Sequence, residues 1–407
     1  VPSQTRNHGW RVPTLPRFTQ WVFCCCSVSC SMLAALQAKK DGLKKVSDEE
    51  KKDRSVANVD LASPDAMKEE CQRYEYYFDS GANTWMERLG DHTFTSTFAE
   101  LRPEEAKLMV DHWLARQRLD ADAEALLEET VAKLQPLVQR LEEAIRCECA
   151  RSPAGLAFVK LSTRSPKDSH WAFSQGEAAY RRRLASRADL PDHNERWRIL
   201  SEEVGRAGAV SSGAAGVRLL CDSGRIYEDL EYALRPPRNA SGEVCKWNVQ
   251  VVARSWDPRI TAASEFRGIV WGFKLTCLGQ YFHPVHFPEL KAQAAQIEED
   301  CHRCFEAVVR PTLDALGGRC IVDFAWLGIG EVRIIELNPF DGDTLGTFGA
   351  STGLFSWEDA RDRQVMEGQL PFELRIREAP LSSEALAQLS DPRSRAVLFP
   401  EAPVAGG

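Results

Sequence analysis

Two carboxylates and an amide in the last quarter of this 407-residue chain have the types and spacing of a metal site. They lie in Cys320-Ile321-Val322-Asp323-Phe324-Ala325-Trp326 and in Gly330-Glu331-Val332-Arg333-Ile334-Ile335-Glu336-Leu337-Asn338-Pro339-Phe340, two apolar runs rich in β-branched and aromatic residues. The break between them, Leu327-Gly328-Ile329-Gly330, predicts an antiparallel hairpin. With its centre near Ile329 and Gly330, Asp323 faces Glu336 across the ladder, and Asn338 shares the face of Glu336 because side chains alternate along a strand. Facing carboxylates repel, which costs stability unless one is protonated or a cation lies between them. Carboxylate and amide oxygens suit magnesium, which binds few protein ligands and completes its shell with water and phosphate. Asp323, Glu336 and Asn338 are therefore the expected ligands of a magnesium-nucleotide site. The competing reading makes Asp323 and Glu336 solvated positions on an edge hairpin.

Such a site needs cations, and three stand upstream on segments with strand character. Lys160 interrupts the apolar run Ala157-Phe158-Val159-Lys160-Leu161. Burying its charge is costly without a partner. A phosphate would serve; an outward-facing lysine on a half-exposed strand is the alternative. The following loop, Ser162-Thr163-Arg164-Ser165-Pro166-Lys167-Asp168, offers hydroxyls, cations and backbone amides to phosphate oxygens, without a Gly-x-Gly signature. Trp247 to Arg254 alternates into a strand, and Glu265–Trp271 with Lys274–Gln280 reads as a hairpin through Gly272 and Phe273. Arg254 and Arg267 thus fall on strands, where a guanidinium forks onto phosphate or carboxylate. For Arg267 the alternative is an ion pair with Glu265 on the same face.

Five segments, taken in order, resemble the cell division cycle protein 123 family, also called D123. They are Phe158 to Asp168, Val252-Ala253-Arg254-Ser255-Trp256, Glu265-Phe266-Arg267-Gly268-Ile269-Val270, the Asp323 to Phe340 block, and Leu354-Phe355-Ser356-Trp357-Glu358. The resemblance runs from roughly Cys71 to Trp357. It implies an ATP-grasp-like fold that binds ATP and Mg2+, and an assembly chaperone for eukaryotic translation initiation factor 2 acting on its gamma subunit. It further implies nucleotide contacts from Lys160, Ser165, Arg254, Trp256 and Arg267, beside the metal set Asp323, Glu336 and Asn338. Ala253 precedes the arginine here, and Glu336 stands where some members have aspartate, a longer side chain that can shift the metal. No Ser-His-Asp or Cys-His arrangement demands a catalytic explanation, so no catalytic residue is assigned. An ATP-grasp ligase forming an acyl phosphate and a nucleotide-binding scaffold without turnover are the alternatives.

Composition narrows the partners. A net charge of -8 and a pI near 5.7 argue against a general nucleic-acid binder, which needs a basic surface. Tyr180-Arg181-Arg182-Arg183 reads as a solvated helix face. Thirteen scattered cysteines read as reduced intracellular thiols, consistent with a cytoplasmic protein. Cys301-His302-Arg303-Cys304 has no second pair at zinc-ligand spacing and reads as thiols packed on a helix. His283 and His286 read as loop residues. The apolar stretch Phe18 to Leu36 is too short and interrupted for a membrane span, so no membrane partner is expected, while a targeting segment stays open. The sequence opens at Val1, which leaves Met32 as a candidate start.

The elements that must position the site follow from the same pattern. Residues 1–70, with a charged stretch from Lys39 to Arg54, are expected as a disordered extension. Residues 71–378 form the D123 domain, with a smaller lobe around Lys160 and a larger one around 247–357, and 379–407 a loosely ordered tail. Pro103 to Ile145 predicts helix with a break near Pro136. Gly205 to Gly216 predicts a mobile loop over a cleft, and Val217 to Cys221 a strand. The expected class is α+β, ATP-grasp-like, with two lobes of antiparallel sheet and flanking helices.

Overall fold

A computed structural model describes residues 64–118, 123–239, 241–340 and 352–399. Positions 1–63, including Phe18 to Leu36, Met32 and the charged stretch, and the end of the tail from 400 lie outside the described residues. Two sheets organise the rest. The first contains β1 (Ser96–Glu100), β2 (Ala157–Leu161), β3 (Ala209–Val210) and β4 (Gln250–Ser255) in the order β1-β4-β2-β3, all antiparallel. The second contains β5 (Glu265–Trp271), β6 (Lys274–Gln280), β7 (Cys320–Gly328), β8 (Glu331–Pro339) and β9 (Glu373–Arg375) in the order β8-β7-β5-β6-β9. Its pairings are antiparallel except for β6 with β9. With helices packed on both, the protein is α+β, as expected.

One face of the first sheet is sealed by helices. Val159, Val251 and Ala253 alternate toward the helix Gln135–Arg151, whose Leu137, Leu141 and Ile145 are fully buried in the same cluster. The long helical region divides into Pro103–Arg118, Ala123–Lys133 and Gln135–Arg151. The last break falls at Leu134, because Pro136 is tolerated only in the first turn of a helix.

Two expectations fail nearby. Gly205 to Gly216 is not a mobile loop, and Val217 to Cys221 is not a strand: Gly213–Cys221 is a helix capped by the Ser212 hydroxyl, which accepts from the Ala215 amide. Its glycines serve close packing. A Cβ on Gly213 would lie 2.2 Å from the Val138 carbonyl oxygen, and one on Gly216 2.8 Å from a Leu141 methyl. Composition alone reads such small residues as flexible; here they let two helix backbones touch.

Both ends of the folded region also extend further than expected. The helix Pro64–Asp79 begins before Cys71 and buries Tyr74 and Phe78 in the core. The tail is not loose over its described part: Ser383–Leu389 and Pro392–Leu398 are short helices capped by Ser382 and Asp391. Their Leu386 and Leu398 are fully buried against the second sheet's cluster, and Arg196 donates to the Leu398 carbonyl at 2.6 Å. Cys301 and Cys304 lie on the helix Pro288–Cys304, the described cysteines are free, and His283 and His286 fall in the loop after β6. Arg181 and Arg182 are exposed on the helix His170–Ala185. Among the described residues no helix is long and apolar enough to cross a membrane.

Candidate functional site

On β2, Ala157, Val159 and Leu161 face the helices, which leaves Phe158 and Lys160 on the opposite face. Arg254 of β4 pairs across from Phe158 and therefore shares that face. Lys160 is 2% exposed and Arg254 5%, so both charges are buried, and the outward-facing reading of Lys160 does not hold.

The second sheet supplies the counterions. The β7–β8 hairpin pairs Asp323 with Glu336, the predicted register, and β5 places Arg267 opposite Asp323. Arg267 forks onto Asp323, with Nε and Nη2 donating to the two carboxylate oxygens at 2.7 Å each. The ion pair of Arg267 is therefore with Asp323 and not with Glu265, the partner named in the alternative reading: Glu265 is opposite Ala325, whereas Asp323 lies directly across the ladder from Arg267. Glu336 accepts from Lys160 Nζ, which joins the two sheets. The solvated-edge reading fails with it, since Asp323 is 2% exposed. Asn338 bridges the carboxylates, its Nδ2 lying 3.4 Å from Asp323 Oδ2 and 3.5 Å from Glu336 Oε2.

A bulge completes the junction. After Asp323 and Glu336 the register shifts, so that Phe324 pairs with Ile334 and Ile335 is left over. The Ile335 carbonyl accepts from Arg254 Nη1 at 2.5 Å. Arg254 Nη2 lies 3.4 Å from Met86 Sδ, while its Nε is buried with no hydrogen-bond partner among the described residues.

Burial and charge set the ionisation. Burial alone would raise the Glu336 carboxyl, but Lys160, Lys167 and Arg254 together hold it down at about 2. Burial lowers the Arg254 guanidinium to about 10, and lowers Lys160 as well, with Arg254 adding to the effect and Glu336 opposing it. Burial raises Glu265, helped by Asp323 and Glu336 and opposed by Lys167 and Arg267.

The loop after β2 behaves differently from its composition. Thr163 donates to Asp229 at 2.5 Å, Arg164 pairs with Glu228 and Asp229, and Asp168 accepts from the Ser223 hydroxyl and the Arg225 amide. These groups anchor the loop to the helix Gly224–Ala233. Lys167 turns toward the second sheet instead, donating to the Tyr281 hydroxyl at 2.9 Å. Ser165 is buried in the loop, and Trp256 packs on Phe158 with ring centroids 6.4 Å apart.

Tyr281 was absent from the residues singled out by sequence. Its ring is contacted by two cations, Lys167 Nζ at 4.5 Å and Arg267 Cζ at 4.6 Å from the centroid. Alternation carries the signal: Gly279 is opposite Arg267, and Tyr281 is two residues on.

Among the described residues no group of three or more His, Cys, Asp and Glu side chains is placed to hold a metal ion. The expected set is two carboxylates and an amide, and those three side chains do converge. A separate cavity of ≈ 290 Å³, lined by Arg116, His170, Trp171 and Asp222 among others, contains none of the site residues.

The D123 family model matches residues 214–400. Over that stretch, somewhat less than half of its length, the chain is similar to the D123 family. The matched region holds Arg254, Arg267, Asp323, Glu336 and Asn338, while Lys160 and its loop lie before it. C-terminally truncated Cdc123 from Schizosaccharomyces pombe is similar at 17% identity and a TM-score of 0.49, with 75% of this chain and 98% of that chain covered. Cdc123 from the same organism gives 16% identity and a TM-score of 0.42, with 74% and 97% covered. No curated protein sequence matches this chain.

Proposed function

We propose that this protein is an ATP- and Mg2+-binding assembly chaperone of Cdc123-like role, promoting formation of eukaryotic translation initiation factor 2 through its gamma subunit in the cytoplasm. The observation that supports it most is the buried face where Lys160, Arg254 and Arg267 meet Asp323, Glu336 and Asn338. Three buried cations on adjoining strands, Arg254 with an Nε that has no hydrogen-bond partner among the described residues, suit a polyanion of nucleotide type.

In this reading Lys160, Arg254 and Arg267 bind phosphate oxygens, Trp256 and Ser165 border the nucleotide, and Asp323, Glu336 and Asn338 hold the metal. Magnesium, when bound, neutralises phosphate charge and fixes the phosphates relative to the carboxylates. The side chains orient the ligand between two sheets, so that nucleotide occupancy sets how the sheets meet. A protein-docking surface formed from both sheets then depends on ATP, which is the property an assembly chaperone needs.

The test is capture of purified initiation factor 2 gamma by the wild-type protein with and without Mg-ATP, with ADP followed in parallel. Capture that strengthens with Mg-ATP supports the chaperone. ADP release that requires an added acid and amine acceptor would replace it with the ligase, and nucleotide binding without either would leave a scaffold.

A further inference from the structure

The carboxylates expected to hold a metal are already engaged. Arg267 occupies both oxygens of Asp323, and Lys160 occupies Glu336. Asn338 turns its Nδ2, a donor and not a ligand atom, toward both. A divalent cation arriving alone would have to displace these cations, leaving Lys160 buried without its Glu336 partner and Arg267 without its Asp323 fork. Arg267 is 7% exposed and Lys160 2%, so neither can simply turn to water.

A metal arriving with phosphate meets a different situation. The phosphate oxygens give Lys160 and Arg267 new acceptors at the moment their carboxylates are released. The surrounding groups favour this exchange: Arg254 has an Nε without a hydrogen-bond partner among the described residues, and the exposed Lys167 lies against Tyr281.

We propose that Lys160 and Arg267 are specificity-determining residues which make the site select a metal–polyphosphate complex over the free metal ion. The proposal rests on the nucleotide reading above and adds a binding order: phosphate comes before or with the metal. Lys160 and Arg267 thus have two partners in turn, an internal carboxylate in the empty protein and a phosphate in the loaded one. The same exchange loosens the Lys160–Glu336 link between the sheets, so the ligand takes over a contact that the empty protein makes within itself.

The experiment follows Mn2+ by the electron paramagnetic resonance signal of the free ion, using the full chain. With wild type and Mn2+ alone the free signal stays undiminished, and with ATP added it falls below that of a protein-free mixture of Mn2+ and ATP at the same concentrations as the complex binds. Lys160→Met, which leaves Glu336 without its cation, gains binding of Mn2+ alone by at least about tenfold over wild type. Arg267→Gln, the second variant, frees Asp323 and gains in the same direction. Mn2+ bound by wild type without ATP as tightly as with it overturns the proposal, a measurement that needs no variant to fold. No gain in either folded variant overturns it too. If wild type binds neither Mn2+ nor Mn-ATP while the variants gain Mn2+, the guarded carboxylates stand and the nucleotide reading falls.

Discussion

The two sheets meet at one junction with opposite chemistry. The first contributes Lys160 and Arg254, cations on a face whose reverse is sealed by helices. The second contributes Asp323 and Glu336, with Glu265 beside them and only Arg267 of the opposite sign on its strands at the site. Neither face is tenable buried alone, because an unpaired charge in low dielectric is far costlier than a paired one. Each sheet is the counterion of the other. The difference explains why the site forms at the junction, and why a ligand that replaces one partner changes how the sheets are held.

The sharpest way to break this comparison is to remove one sheet's cation. Lys160→Ala leaves Glu336 buried without its direct partner and should cost roughly 3–5 kcal/mol, read from guanidinium denaturation. The double change Lys160→Met with Glu336→Leu should recover most of that loss. A single variant as stable as wild type would mean that the sheets do not depend on the pair.

Acid sharpens the comparison, because the loop after β6 of the second sheet carries a buried histidine. Burial lowers His283 to about 4 from the ordinary 6.5, with Arg377 and Arg267 adding to the effect and the Tyr281 carbonyl opposing it. The unfolded imidazole takes up its proton below the ordinary value, and the folded one only near the lowered value. Stability is therefore full above pH 6.5 and falls as pH drops toward 4, by about 3 kcal/mol. His283→Asn should flatten denaturation midpoints across that window; an unchanged slope would locate the loss elsewhere. Glu336 acts lower: its contribution is intact above its ordinary 4.5 and lost as pH falls toward about 2.

Asp323→Asn keeps a partner for Arg267 but removes a ligand charge. Mg-ATP affinity should fall more than tenfold, about 1.4 kcal/mol, and the melting temperature should fall as well, because the buried Arg267 loses its charged partner. Asn338→Ala should weaken binding in the same direction. At the rim, Lys167→Ala removes an exposed contact with Tyr281 and should cost about 0–1 kcal/mol of stability, measured by urea titration. A larger loss would show that the rim, not the buried pairs, holds the sheets.

The hairpin was legible because its two runs alternate and end on glycine turns: Gly330 takes a positive φ of 76°, and the pairing of Asp323 with Glu336 follows from the turn. The β5–β6 hairpin was equally legible through Gly272 and Phe273. Periodicity failed where glycine serves packing, as at Gly213, and where the register breaks. The bulge at Ile335 leaves no mark in composition, yet it frees the carbonyl that Arg254 takes. Sequence also showed which charges gather without showing how they pair. Facing carboxylates were read as a demand for a cation, and the fold meets that demand with Arg267 and Lys160 from distant strands.

Calorimetric titration of ATP into wild type and Asp323→Asn, each with and without magnesium, tests the central claim most directly. The account predicts binding to wild type that strengthens with magnesium and weakens more than about tenfold in the variant. Folded wild type that binds no ATP, or binds it equally without magnesium and in Asp323→Asn, would contradict a magnesium-nucleotide site between the sheets.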